Sequence, residues 1–265
     1  MKNKFDNRDR FTGSAFLYHE SRPRFPQEAL RILLRYLEEK PIDAVDLGCG
    51  TGLSTAALAE ISESVTGIDP NADMLAQAGS YLSGRPGVHL LRGTAEALPL
   101  ENGSTDLIVC SQSFHWMAPE TAIPEICRVL RDGGLFAAVD YDWPGVYTLD
   151  CELAYRALID QSERIIGQHP EIVGNSHKWS KSKHCENLRR FGTFRYCREI
   201  VFASQEDCSG ARFRDMAVSQ SGVQAVLKSR FAPELEPHLS ALSEAADRSD
   251  AYQILLPYRM RIGIR

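Results

Sequence analysis

A glycine-rich turn between an apolar run and a helix-forming segment constrains this chain more than any other feature. The turn is residues 48–52, which read Gly-Cys-Gly-Thr-Gly, after an apolar run at 44–47 and before a helix-forming segment at 53–59. Glycine can adopt positive φ, and a ligand can approach its backbone closely because it has no Cβ atom. The free N–H groups at the start of a helix favour electronegative ligand atoms. The stretch predicts a strand, a tight turn and a helix N-terminus, with a plain tight turn as the alternative.

The spacing of these glycines differs from the dinucleotide-binding pattern. That pattern reads G-x-G-x-x-G, and its third glycine opens the helix so that the helix can pack closely on the strand. Here Leu53 stands at that position, and the third glycine, Gly52, comes one residue earlier. The spacing therefore disfavours a nucleotide-dependent oxidoreductase.

An acidic residue stands at the distance from this turn that a nucleoside-binding unit requires. Residues 64–69 have the composition of a strand and end in Asp69, which lies 21 positions after Gly48. In nucleoside-binding α/β units, a carboxylate about 20 residues after the glycine turn accepts the ribose hydroxyls. The alternative is that Asp69 caps the helix that follows, and one side chain could serve both purposes.

Strand-like and helix-like segments alternate through the first half of the chain. The predicted strands are 44–47, 64–69, 87–93, 106–112 and 135–139. A helix at 28–39 precedes them, and the helices between them include 53–59 and 120–130. Such alternation predicts an α/β fold with a doubly wound parallel sheet. Beyond it we expect helices at 151–167, 184–191, 212–227 and 237–246, and strands at 193–204 and 251–264. The last two strands should join the sheet edge as an antiparallel pair, which makes a mostly parallel sheet of seven strands.

The composition argues against several classes of partner. The net charge of −5 and the short basic clusters provide no concentrated basic surface for nucleic acid. The seven cysteines include no C-x-x-C pair, and the spacing of His177 and His184 is no recognised metal pattern. No window approaches the roughly 20 apolar residues of a membrane span, and the N-terminus lacks an apolar leader. We expect a cytoplasmic protein with free thiols, no metal, and no membrane or nucleic-acid partner, as a monomer or homodimer.

Five spaced motifs resemble the class I S-adenosylmethionine (SAM)-dependent methyltransferases that act on small molecules, of the methyltransferase-11 type. The motifs lie at 45–52, 65–75, 94–100, 104–117 and 128–134, in the family's order. The loops at 95–100 and 113–116 and the aromatic, proline-rich arm at 18–26 most resemble the branch that contains the trans-aconitate methyltransferases. The resemblance implies a Rossmann-like fold, SAM as cofactor and S-adenosylhomocysteine (SAH) as product.

The resemblance divides the chain into four parts. These are an N-terminal arm or lid at 1–26, a SAM-binding core at 27–142, a cap and substrate region with the sixth strand at 143–232, and a C-terminal helix and final strand at 233–265. The cap is inserted after the fifth strand and is predicted to be helical. Segments 143–182 and 205–232 would cover the site.

The resemblance also assigns cofactor-binding roles to single positions. Asp46, Gly48, Gly50 and Gly52 would line the methionine part of SAM, and Asp69 would hold the ribose. The adenine would lie against Met74, with Ala95 and Glu96 at its edge. Ser111 and Gln112 would lie beside the sulfonium, and Arg22 would neutralise the carboxylate.

Transfer of a methyl group from a sulfonium is an in-line displacement that requires alignment and exclusion of water. A general base is needed only where the acceptor must lose a proton, so a carboxylate acceptor needs none. His115 is the candidate base, and a structural histidine packed on Trp116 is its alternative. Tyr18, Trp116, Tyr141 and Trp143 are candidate substrate-binding residues, although core or surface positions would also suit the last three.

The sequence favours a small-molecule acceptor with a carboxylate or hydroxyl oxygen as the methylated atom, and nitrogen remains open. A module that binds SAM or SAH without transferring the methyl group is the alternative from another functional class.

Overall fold

The computed structural model describes residue 13 and residues 15–37 and 42–265. The remainder of the predicted N-terminal arm, and residues 38–39 of the helix predicted at 28–39, lie outside the described residues. The strands are β1 Asp43–Leu47, β2 Ser64–Asp69, β3 Val88–Arg92, β4 Thr105–Ser111, β5 Leu130–Tyr141, β6 Tyr196–Asp207 and β7 Gln253–Ile264. The α-helices are α1 Ala15–Ser21, α2 Gln27–Leu34, α3 Leu53–Leu58, α4 Ala72–Tyr81, α5 Pro119–Val129, α6 Leu149–Gln168, α7 His184–Phe191, α8 Gly210–Val218, α9 Ser221–Leu227 and α10 Glu236–Arg248.

The chain forms two compact units. One, the sheet unit, comprises residues 24–141, 177–204 and 258–265. The other, the helical unit, comprises the described residues up to 23 together with 142–176 and 205–257. The region predicted as a cap, 143–232, therefore contributes residues to both units, and its role as a cap stays a prediction.

The sheet has seven strands in the order β3-β2-β1-β4-β5-β7-β6. β1 pairs in parallel with β2 and with β4, so that Asp46 lies opposite Gly67 on one side and Val109 on the other. β7 runs antiparallel to β5, with Met260 opposite Val139. The predicted seven-stranded, Rossmann-like arrangement is confirmed, and the sheet is mixed rather than purely parallel.

The order of the strands places a binding edge. From β1 the chain adds β2 and β3 on one side of the sheet, and it then returns to add β4 and β5 on the other side of β1. The direction of winding therefore changes between β1 and β4. Ligands of open α/β sheets bind at the carboxyl ends of the strands beside such a switch point. The glycine turn follows directly after β1 and therefore lies at this edge.

The core of the sheet unit explains why its strands are almost continuously apolar. Leu107, Ile108 and Val109 of β4 are fully buried, as are Ile123 and Ile126 of α5. A parallel strand that is covered on both faces carries apolar side chains at successive positions rather than at alternate ones. Fully burying each large aliphatic side chain stabilises the fold by about 1.5–3 kcal/mol.

The helical unit has an aromatic core. The rings of Tyr147 and Phe213 stack with centroids 4.7 Å apart, and Tyr155 meets Phe213 edge-on at 5.6 Å. Gln220 donates a hydrogen bond from Nε2 to the hydroxyl of Tyr155 at 2.9 Å. Aromatic side chains contribute large buried areas, and a buried tyrosine hydroxyl usually has a partner of this kind.

Several element boundaries differ from the predictions. The single helix predicted at 212–227 is two helices, α8 and α9, because Gln220 is extended and the Ser219 hydroxyl bonds back to the Met216 carbonyl at 2.8 Å. β5 begins at Leu130 rather than at 135, because Leu130 already pairs with Thr105 of β4. The seven cysteines are free thiols.

No described helix is both long and apolar enough to cross a membrane. Within the described ranges, no three His, Cys, Asp or Glu side chains are grouped so that they could hold a metal ion.

Candidate functional site

The glycine turn adopts the conformation that its sequence predicts. Gly48, Gly50 and Gly52 have φ of +75°, +55° and +87°. A Cβ added to Gly48 would lie 2.5 Å from the Cβ of Ser113, and one added to Gly52 would lie 2.8 Å from Leu82. A Cβ on Gly50 would meet nothing within 4 Å. Packing thus requires glycine at 48 and 52, whereas at 50 the open space leaves room for a ligand against the backbone.

Asp69 lies beside this open position. Its Oδ2 accepts a hydrogen bond from the backbone N–H of Gly50 at 2.9 Å, and its Oδ1 accepts one from Asn71 at 2.9 Å. Burial raises the pKa of Asp69, and the hydrogen bonds from Asn71 and Gly50 oppose that rise. A carboxylate oxygen accepts more than one hydrogen bond, so each retains capacity for a hydroxyl donor.

The alternative role for Asp69, as the cap of the following helix, is filled by another residue. Asn71 caps α4 by accepting a hydrogen bond at Oδ1 from the backbone N–H of Met74 at 3.0 Å. Asp69 instead joins the turn after β1 to the start of this helix. Asp69 is predicted to bind the ribose of SAM, and its hydrogen bond with Gly50 joins it to the glycine turn, which is predicted to line the methionine part.

Asp46 is completely buried at the end of β1. Its Oδ2 accepts hydrogen bonds from the hydroxyls of Ser54 at 2.7 Å and Thr55 at 2.6 Å. Burial raises the pKa of Asp46 to about 6, although the Thr55 and Ser54 bonds lower it. Its Oδ1 has no hydrogen-bond partner among the described residues. An unpaired buried acceptor of this kind suits a ligand that brings a donor.

The sheet unit also contains the three residues predicted to lie around the adenine, Met74, Ala95 and Glu96. Met74 and Ala95 are buried. Glu96 accepts a hydrogen bond at Oε1 from the backbone N–H of Ala118 at 3.4 Å. Leu98, in the same loop, is held by a bond from its N–H to Glu125 at 3.0 Å.

The adjacent carboxyl ends of β4 and β5 carry a cluster of charged groups that the sequence prediction missed. Ser111 pairs with Val139, and the N–H of Gln112 donates to the Val139 carbonyl at 2.9 Å. Asp140 follows and is 2% exposed. Lys181 Nζ forms an ion pair with Asp140 Oδ1 at 3.0 Å and donates a hydrogen bond to Gln112 Oε1 at 2.7 Å.

The second oxygen of Asp140 faces other basic groups. Arg261 Nη1 lies 3.1 Å from its Oδ2, and His184 Nε2 lies 3.7 Å from the same atom. Burial alone would raise the pKa of Asp140, but His115, Lys181 and His184 outweigh burial and lower it. Asp140 is therefore ionised at neutral pH.

The sequence did contain one signal for this cluster. Asp140 is an acid at the end of a predicted strand, as Asp46 and Asp69 are. Lys181 had no such signal, because its 3-10 turn, Lys181–Lys183, is placed by contacts with residues far away in the chain.

His115 is buried in the 3-10 turn Phe114–Trp116 that follows β4. Its Nδ1 lies 3.7 Å from Asp140 Oδ1, which is too long for a hydrogen bond. Burial lowers the pKa of His115 to about 3, despite the opposing effect of Asp140. The imidazole is therefore neutral at physiological pH, and its ring packs on Trp116 with centroids 4.7 Å apart.

Tyr141 and Trp116, two predicted substrate-binding residues, lie in the sheet unit. Tyr141 is buried at the end of β5, where its ring meets Tyr258 edge-on at 5.4 Å. Lys178 Nζ lies over the Trp116 ring at 5.8 Å from the centroid. These contacts place both rings among protein side chains.

Arg22, Tyr18 and Trp143, three predicted site residues, come together in the helical unit. The buried Arg22 guanidinium lies over the Tyr18 ring at 4.6 Å and near the Trp143 ring at 5.1 Å. Arg22 Nη2 donates a hydrogen bond to the carbonyl of Ser219 at 3.1 Å. Cation–π contacts of a desolvated arginine are worth about 2 kcal/mol, so this cluster stabilises the unit.

The residues around the glycine turn fit SAM. Gly50 has open space where a Cβ would stand, Asp69 offers both carboxylate oxygens, and Asp46 has an unpaired buried oxygen. These groups match the donors of the ribose and of the ammonium in that cofactor.

Known methyltransferases resemble this chain in sequence. Residues 45–138 match the model of a family described as a methyltransferase domain. An uncharacterized methyltransferase of Mycobacterium tuberculosis is 38% identical over 129 residues, which are 49% of this chain and 51% of the relative. The malonyl-[acyl-carrier protein] O-methyltransferase of Methylococcus capsulatus is 36% identical over 135 residues, 49% of this chain and 48% of the relative. The chain thus spans about half the length of these relatives.

Solved structures share the fold. A putative type II methyltransferase from Anaeromyxobacter dehalogenans has a TM-score of 0.63 and 24% identity, covering 92% of this chain and 97% of that one. A Haemonchus contortus phosphoethanolamine N-methyltransferase, solved with phosphomonomethylethanolamine and SAH, has a TM-score of 0.57 and 16% identity, covering 97% of this chain and 60% of that one. At these identities the likeness shows the fold. Together the matches support a class I methyltransferase, for which SAM fits as cofactor.

Proposed function

We propose that this chain, whose residues 45–138 match a methyltransferase domain, transfers the methyl group of SAM to an oxygen of a small-molecule acceptor. The observation that carries the proposal is the pairing of Gly50 with Asp69. A glycine with open space at its Cα and a buried carboxylate share one hydrogen bond at the carboxyl edge of β1 and β2.

The cofactor would be held by the residues assigned to it in the sequence. Asp69 would accept the ribose hydroxyls, and Gly48, Gly50 and Gly52 would let the chain approach the methionine part. Bound SAM would supply a methyl group already activated on a sulfonium. The protein's own residues would then orient the acceptor and exclude water. The adenine would lie near Met74, Ala95 and Glu96. The sulfonium would lie beside Ser111 and Gln112.

A carboxylate is the favoured acceptor group, ahead of a hydroxyl or an amine. A phenol or alcohol benefits from a base near its operating pH. His115, with a pKa lowered to about 3 and a buried ring, is a weak base. A carboxylate acceptor requires no proton removal. The O-methyltransferase named among the relatives agrees with transfer to oxygen.

The alternative is a module that binds SAM or SAH without methyl transfer. Its cofactor contacts would be the same, since binding alone does not establish turnover. The two are distinguished by turnover alone, not by cofactor affinity.

A two-step experiment tests the proposal. Calorimetry should detect binding of SAM and SAH and none of NAD. Incubation with methyl-labelled SAM and a panel of carboxylates, phenols and amines should then label a carboxylate. Binding without labelling of any member would favour the non-catalytic module, and failure to bind SAM and SAH would refute both.

We also propose that Arg22 binds the cofactor carboxylate and that four aromatic residues contact the acceptor, namely Tyr18, Trp116, Tyr141 and Trp143. The protein would belong to the trans-aconitate branch, lie in the cytoplasm, and act as a monomer or homodimer.

A further inference from the structure

The 3-10 turn Lys181–Lys183 brings one ammonium group to the carboxyl edge of the sheet. Lys181 Nζ lies 3.0 Å from Asp140 Oδ1 and 2.7 Å from Gln112 Oε1. These two residues stand at the ends of β5 and β4, which pair through Ser111 and Val139. The segment that carries Lys181 is fixed there by a hydrogen bond from the N–H of Trp179 to the carbonyl of His115 at 2.8 Å.

The ammonium keeps donor capacity for a ligand. A lysine carries three N–H donors, and the hydrogen bond to Gln112 uses one of those on Lys181. Asp140 Oδ1 meets the ammonium as an ion pair. The Lys181 side chain is 26% exposed, whereas Asp140 beside it is 2% exposed. The ammonium therefore has access to a ligand that the carboxylate lacks.

The Asp140 carboxylate is shared between two cations. It pairs with Lys181 and with Arg261, and Arg261 also pairs with Glu199. The neighbouring His115 and His184 add no negative charge, because burial keeps both neutral at pH 7 by lowering their pKa values to about 3 and about 4. Of the two cations on Asp140, Lys181 is the more exposed, with 26% of its side chain accessible against 4% for Arg261. Lys181 is therefore the cation of this cluster that an anionic ligand can reach.

The backbone shows that this arrangement is held under strain. Gln112, which accepts a hydrogen bond from the Lys181 ammonium, has φ of +53°. Among the described residues it is the only one other than glycine with a positive φ. Such a conformation costs of order 1–3 kcal/mol and is typical of residues at functional sites. The side chain of Gln112 also donates from Nε2 to the Tyr141 carbonyl at 3.4 Å.

We propose that Lys181, oriented by Asp140 and Gln112, is the specificity-determining residue that binds an anionic oxygen of the acceptor. The inference rests on the proposed function and narrows its substrate class to small organic acids. The ammonium would donate one of its remaining N–H groups to the carboxylate oxygen, a charge-assisted hydrogen bond. A neutral amide of the same shape would lose the ionic part of that contact.

Binding measurements test this without requiring turnover. Benzoate, hexanoate and glutarate, each beside its amide, are titrated into the wild type, Lys181→Met and Lys181→Arg, with and without SAH. We expect at least one acid to bind the wild type and to bind Lys181→Met about tenfold or more weakly, with the amides unaffected. Lys181→Arg should recover part of the affinity, since it keeps the charge.

Lys183→Met is the matched control, because Lys183 lies two residues away, is largely exposed and pairs with Glu186 at 2.8 Å. It should bind the acids as the wild type does. Equal binding of every acid to the wild type and Lys181→Met would overturn the inference, as would a wild type that binds none of the acids. SAH affinity should be the same in the wild type and Lys183→Met. If the protein binds acids through Lys181 but transfers no methyl group, the methyltransferase function is refuted and the anion-binding role of Lys181 is kept.

Discussion

The backbone N–H of Gly50 donates a hydrogen bond to the carboxylate of Asp69 across 2.9 Å. The glycine belongs to the turn after β1, and the acid ends the neighbouring strand, β2. The hydrogen bond therefore fixes Gly50, where a ligand can approach the backbone, next to Asp69, which can bind the sugar of that ligand.

Replacement of Asp69 by alanine should remove most of the SAH affinity. Hydrogen bonds to a charged group are each worth about 1.5–3 kcal/mol, so Kd should rise about tenfold to hundredfold or more. Isothermal calorimetry measures the change. Asp73→Ala, an exposed acid in the first turn of α4, serves as the control and should bind SAH normally. Unchanged affinity in Asp69→Ala would remove Asp69 from the site.

Replacement of Gly50 by alanine separates ligand contact from backbone strain. Gly103 has a similar φ, +57° against +55°, and an added Cβ would meet nothing within 4 Å at either position. Both alanine variants should lose a similar stability, about 1–2 kcal/mol. Only Gly50→Ala should also lose SAH affinity, by about tenfold or more. Chemical denaturation and calorimetry on the two variants give the comparison, and equal SAH binding would contradict it.

Replacement of Thr55 by valine tests the support of Asp46. The buried Thr55 hydroxyl donates to Asp46 at 2.6 Å, and valine has the same shape without the donor. The loss should cost about 1–3 kcal/mol in the free energy of unfolding. The pKa of Asp46, already raised to about 6 by burial, should rise further. Thr121→Val, at an exposed position, should stay within about 0.5 kcal/mol of the wild type.

The two buried histidines should make the protein sensitive to acid. Burial lowers the pKa values of His115 and His184 to about 3 and about 4, against 6.5 in the unfolded chain. Between these limits the unfolded state binds more protons, so the free energy of unfolding should fall as pH drops below about 6.5. Each histidine contributes at most about 1.4 kcal/mol per pH unit.

Urea denaturation between pH 7 and 4 measures that slope. His115→Gln and His184→Gln should each reduce it. Asp46 acts in the opposite direction, because its folded pKa is raised and it binds a proton more readily when folded between pH 3.8 and about 6. Asp46→Asn should therefore steepen the fall of stability in acid. Identical slopes in the wild type and both histidine variants would contradict the burial of neutral imidazoles.

Sequence patterns over short stretches of the chain predicted the glycine turn and Asp69, the part of the site formed by residues close together in the sequence. The glycines at 48–52 and Asp69 lie on one β–α–β unit, so their spacing along the chain sets their spacing in space. The alternation of segments likewise predicted the strands of the sheet, since a parallel strand must be followed by a crossover.

Long-range contacts determine what the sequence left open. Lys181 reaches Asp140 through a turn 41 positions later, and no periodicity along the chain reports that meeting. Gln112 takes a positive φ that its residue type does not indicate.

A crystal structure of the protein with SAH tests the central claim most directly. The ribose hydroxyls should lie within hydrogen-bond distance of the Asp69 carboxylate, with the homocysteine part against Gly50. Density for SAH at another place, or a ribose that makes no contact with Asp69, would contradict the assignment of this turn as the cofactor site.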